Sequence, residues 1–220
     1  TLFGMTRKLI KRITGKYEDG ILSIVANFIQ KGTFLIVTIL LARIFGPKLF
    51  GEYVFLKQTF DVLIVFILFG GDKSLIYFSA IDKNDGLKKL LSVIKFAIII
   101  VIILFLVSLS VQDKLLANYH FSSNLFFLLL FSATILLNII LLFIEGYFVG
   151  IKSLKTYFKS VILAAIFYLP LSYFFGYKYG LVGVFLAMFV HYLVQFIYIY
   201  FKENKLFKKE SIGNLKKDLK

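Results

Sequence analysis

Twelve polar side chains stand where an apolar sequence ought to be uniform. Asn27, Gln30, Lys31 and Thr38 are spaced so that the last three lie 3, 4 and 11 residues after the first, which puts all four on one face of a helix. Lys57, Gln58 and Asp61 repeat the arrangement some thirty residues later, Thr134, Asn138 and Glu145 form a third line, and His191 and Gln195 a fourth. At 1.5 Å per residue, Lys31, Lys57 and Asp61 all reach the middle of a bilayer about 30 Å thick. A charge at that depth costs at least about 2.5 kcal/mol, so these groups are expected to face a bundle interior or a hydrated cavity. Their chemistry is charge pairing and hydrogen bonding in a membrane. The competing reading for Lys57 and Asp61, four residues apart, is a structural ion pair that keeps the segment insertable. Arg43 and Lys48 are also accounted for as headgroup anchors, Lys95 as a snorkelling one, and His191 as a hydrogen-bonded bundle residue.

The rest of the composition narrows the possibilities. Of 220 residues 60% are hydrophobic, 27 are Phe, and there is no Cys or Trp. Thiolate catalysis, disulfides and Cys-ligated metals are therefore excluded, and two distant His residues do not make a metal site. The formal charge of +14 would suggest nucleic acid in a soluble protein. Here the lysines gather at the ends of apolar runs, as membrane topology requires, so no nucleic-acid partner is expected. No small-residue cleavage site follows the first apolar run, which does not read as a signal peptide.

The elements that must position the polar lines are membrane helices. A ruler of about 20 apolar residues gives six spans, near 21–45, 50–71, 90–111, 121–149, 158–176 and 180–201. The expected fold is all-α, a polytopic six-helix transmembrane bundle. It is flanked by a basic cytoplasmic segment over 1–20 and a Lys-rich cytoplasmic tail or linker over 202–220. With the N-terminus inside, nineteen of the 26 basic residues fall on the cytoplasmic side and four outside, so both termini are expected inside. Removing the charged second span would spoil that asymmetry. Pro170 is expected to kink span five, and Gly146 and Gly150 have the spacing of a close helix-packing face. The loops are too short to form a soluble catalytic domain, so no enzyme activity and no cofactor are expected.

Residues 27–80 carry a further signal. Leu41, Ala42, Arg43, Gly46, Pro47, Phe50, Gly51 and Tyr53 form a turn of the pattern LARxxGPxxFGxY, and Gly70 and Gly71 close the next helix before a small charged loop. This resembles the start of the Wzx-type polysaccharide flippases of the MOP superfamily, relatives of the lipid II flippase MurJ and of the MATE exporters. Beyond residue 80 the resemblance rests on hydropathy and topology. Such proteins have two six-helix lobes, so the chain looks like an N-terminal lobe, a fragment whose partner is a missing C-terminal lobe or a second copy.

The resemblance implies transport of an undecaprenyl-pyrophosphate-linked oligosaccharide across the bacterial inner membrane for O-antigen, capsule or exopolysaccharide. Polymerase and glycosyltransferases are implied partners. Lys31, Arg43 and Lys57 would then meet the pyrophosphate, and Asn27, Gln30, Gln58, Asn138 and Gln195 the sugar hydroxyls. Asp61 and Glu145 would couple transport to an ion. Two alternatives stay open: a MATE-like exporter of small molecules, favoured by an acidic and aromatic lining, and a non-transporting membrane scaffold for glycosyltransferases.

Overall fold

A computed structural model of the chain describes residues 2–115 and 125–203. Its described elements are α-helices throughout: α1 (Leu2–Leu68), α2 (Gly71–Ile81), α3 (Lys83–Leu115), α4 (Leu125–Gly150) and α5 (Lys155–Lys202). The tail beyond residue 203 lies outside the described residues. Among the described residues four helices are long and apolar enough to cross a membrane: α1 over Ile24–Leu68, α3, α4 and α5. In hydrocarbon every backbone N–H and C=O must be bonded within the segment, which is why such runs are helical. This is a membrane protein.

Two of the four are too long for one crossing. Straight helices of 45 and 48 residues would extend roughly 70 Å, more than twice the hydrocarbon thickness. Each contains one glycine outside helical geometry, Gly46 (φ 68°, ψ 176°) in α1 and Gly180 (φ 61°, ψ −138°) in α5. At those angles a side chain would be strained. Pro47 then opens the second half of α1, where its missing N–H is one that a helix start leaves free.

Contacts across both glycines show that the halves fold back on themselves. In α1, Tyr53 interacts with Thr38 and the Lys57 ammonium lies 5.9 Å from the centre of the Phe34 ring. These partners stand at nearly equal distances before and after Gly46. In α5, Tyr168 and His191, twelve residues before and eleven after Gly180, bring their rings to 5.0 Å. The reversal falls between the expected spans five and six, not at Pro170. Pro170 keeps helical angles and the chain reverses at Gly180, because a reversal needs the left-handed region that only glycine enters freely.

The segment expected as a charged loop after residue 70 is the helix α2. Phe69 (φ 41°) and Gly70 (φ 76°) reverse the chain, and α2 then buries Leu75 and Ser79 against α4. The glycines Gly146 and Gly150 make this possible: a Cβ on Gly146 would sit 2.7 Å from the Asp72 carbonyl oxygen, and one on Gly150 2.7 Å from that of Ile76. Lipid offers little hydrophobic drive for helix association, so backbone-to-backbone packing of this kind holds the bundle. Asp82 ends α2 and starts α3, its carboxylate accepting from the Asn84 N–H at 3.0 Å. After α4, Lys152 (φ 53°) makes a Schellman turn, with Ser153 N–H to Phe148 O at 3.1 Å and Lys152 N–H to Val149 O at 3.2 Å. Within the bundle α4 packs on α2, α3 and α5, while α1 leans chiefly on α5.

Candidate functional site

The fold-back at Gly46 brings the two polar lines of α1 to one level. Lys31 and Asp61 stand fifteen residues to either side of that glycine, each about 22 Å along its helix. Between the halves lies an open cleft of about 820 Å³, within the size range of ligand sites. Gln30, Lys31, Thr38, Tyr53, Lys57, Gln58 and Asp61 line it from α1, Asn138 from α4 and Tyr192 from α5. Five side chains read from the sequence as substrate-facing, Gln30, Lys31, Lys57, Gln58 and Asn138, therefore meet in one open space, with Asp61 among them.

Within the cleft the two ammonium groups differ in their surroundings. Lys57 Nζ lies 2.6 Å from both carboxylate oxygens of Asp61, so the pair anticipated from the four-residue spacing forms. The same ammonium lies 5.6 Å from the centre of the Phe60 ring, a second cation–π contact beside that to Phe34. Lys31 is exposed to the cleft and makes no ion pair among the described residues. Two ammonium groups against one carboxylate leave the lining with one net positive charge.

Phe34 is the partition between cleft and core. On its far side its ring meets Tyr168 at 5.0 Å and His191 at 5.7 Å. His191 Nε2 and Gln195 Nε2 are 2.8 Å apart and both residues are buried. Gln195, assigned above to sugar hydroxyls, is therefore a core residue whose amide is engaged by His191. His191 is the hydrogen-bonded bundle residue expected.

Three more site residues fall elsewhere. Asn27 is exposed one turn before the cleft, outside its lining, and Arg43 is exposed three residues from the Gly46 turn. Glu145 lies two helical turns beyond Asn138, where it accepts a hydrogen bond from the Tyr157 hydroxyl at 2.8 Å, near Asp72 and Lys73 of α2. Asp61 and Glu145 thus occupy separate places, one in the cleft and one at the junction of α2, α4 and α5. Thr134, on the same line of α4, donates to the Leu130 carbonyl at 2.6 Å inside the core.

Two lining residues escaped the sequence reading as ligand contacts, Tyr53 and Tyr192. Tyr53 was legible only as part of the turn pattern. Tyr192 gave no signal of its own beside His191.

A family model described as polysaccharide biosynthesis protein matches residues 17–219. The chain belongs to the polysaccharide biosynthesis protein family. Nearly all of it is covered, including the cleft and both fold-backs, so the family and the geometry describe the same region. No curated protein and no solved structure matches the chain. As a member of that family it takes part in making or exporting polysaccharide from within a membrane.

Proposed function

We propose that the chain is one lobe of a flippase that carries an undecaprenyl-pyrophosphate-linked oligosaccharide from the cytoplasmic to the outer leaflet of the bacterial inner membrane. The carrying observation is that Lys31 and Lys57 share one open cleft midway along the α1 hairpin. A diphosphate needs cations in a wet space, and ammonium groups hold it without consuming it. The amides of Gln30, Gln58 and Asn138 suit sugar hydroxyls, and no covalent step is involved. Each fold-back is read as two crossings, making six spans, and the lysine distribution supports both termini in the cytoplasm. A second six-helix lobe, from the same chain or another copy, completes the cavity. Asp61 and Glu145 are the proposed ion-coupling carboxyls.

The test is replacement of Lys31 or Lys57 by Ala in the full-length protein. Surface polysaccharide is lost while the protein accumulates at near-normal level. Intact polysaccharide in both variants rejects the reading and favours the scaffold, which tolerates their loss. The aromatic lining by Phe34, Tyr53 and Tyr192 beside Asp61 favours a second reading, an exporter of small cationic compounds. That reading requires Asp61→Asn to abolish resistance to such compounds, with polysaccharide unaffected.

A further inference from the structure

We infer that Asp61 is an internal competitor for the substrate anion: it occupies Lys57 in the empty cleft and is displaced when a phosphate group arrives. The inference rests on the reading of the cleft as an anion site. Its ground is the contrast between two lysines in one space. Lys31 stands without an ion pair among the described residues, whereas Lys57 is held by both oxygens of Asp61 at 2.6 Å.

Three features make the pair exchangeable rather than fixed. Its side chains are 25% and 57% exposed, so the carboxylate, once released, has open space in the cleft to turn into. The lysine precedes the aspartate by four residues, the weaker of the two orientations on a helix. The ammonium also keeps a second set of contacts, the faces of Phe34 and Phe60 at 5.9 and 5.6 Å, which hold Nζ in the cleft whichever anion it pairs with. An incoming phosphate first meets Lys31, then takes Lys57 from Asp61. Every bond exchanged is a charge-assisted hydrogen bond, so the swap alters charge placement without leaving an ammonium unpaired in the membrane.

The device prevents an empty transporter from presenting two bare cations at mid-bilayer. It also sets a selectivity: an anion must offer more than the one carboxylate it replaces, which favours diphosphates over simple carboxylates.

The experiment titrates inorganic pyrophosphate into the full chain in phosphatidylcholine nanodiscs at low salt, with calorimetric detection. Asp61→Asn binds about two- to fivefold more tightly than the parent, the scale of an exposed ion pair. Asp61→Glu, which keeps the competing charge, binds as the parent does. Lys57→Gln weakens binding, and adding Asp61→Asn to it restores nothing. Asp61→Ser repeats the neutralisation should the asparagine variant accumulate poorly. Overturning results are equal or weaker binding by the neutral variants, equal tightening by Asp61→Glu, or the same gain in the absence of Lys57. The two readings fail separately. Polysaccharide lost in Lys31→Ala with no effect of Asp61→Asn on pyrophosphate sinks the exchange alone. Tighter binding by Asp61→Asn with polysaccharide intact in both lysine variants sinks the flippase alone.

Discussion

The hairpins of α1 and α5 are built alike and used differently. Each is a long apolar helix reversed at a glycine with positive φ, and in each the partners that meet lie nearly equidistant from that glycine. In α5 the halves close backbone to backbone. A Cβ added at Gly183 would collide with the Phe175 carbonyl, and one at Gly176 would lie 3.3 Å from Val184. In α1, added Cβ atoms at Gly32, Gly46 and Gly51 would meet nothing within 4 Å. The α5 hairpin is zipped, and its polar pair His191 and Gln195 is neutral and buried. The α1 hairpin holds an open cleft between its halves, and its polar lining includes the charged Lys31, Lys57 and Asp61. The difference teaches that a polar line in a membrane helix does not by itself declare a site: the spacing of its partner backbone decides whether water reaches it.

Substitutions break or sharpen this contrast, beginning with the strongest. Gly183→Leu drives a branched side chain into the Phe175 backbone, a cost of about 3 kcal/mol or more, and the protein fails to accumulate in the membrane by immunoblot. His191→Ala empties a buried site ringed by Phe34, Tyr168 and Tyr192 and strands the Gln195 amide. It costs about 2–4 kcal/mol, seen as a lower unfolding temperature in detergent. A double-mutant cycle of Lys57→Ala and Asp61→Asn gives a stability coupling of only about 0.2–1 kcal/mol, because the pair is exposed to the cleft. Gly51→Ala shifts the unfolding temperature least, by about 1 kcal/mol or less and in the stabilising direction, because the site is helical and open. Equal losses at Gly51 and Gly183 would refute the contrast between splayed and zipped hairpins.

Legibility in the sequence followed the range of the cause. The polar lines of α1 were readable because a helix period of 3.6 residues is local, and Lys57 with Asp61 because four residues make one turn. The close packing of Gly146 and Gly150 was readable as spacing, while its partner, α2, was not. That helix is held by what lies across from it, and the sequence of residues 71–81 is short and charged enough to pass for a loop. Gln195 was misplaced for a similar reason. Nothing local distinguishes an amide facing His191 in a sealed core from one facing a cleft. The reversal of α5 at Gly180 was readable too, since it falls at the boundary between the expected spans 158–176 and 180–201, where a glycine can enter the left-handed region.

By itself the sequence determined that this chain lives in a membrane, that it is helical, and that lysines and an aspartate stand at mid-depth, since hydropathy, helical period and the cost of buried charge all act along the chain. Tertiary structure alone decided which of those groups share water. That depends on how closely two helices approach, and approach is set by side chains and glycines far apart in sequence: tight at Gly183, open around Gly51, with Phe34 dividing the open cleft from the packed core.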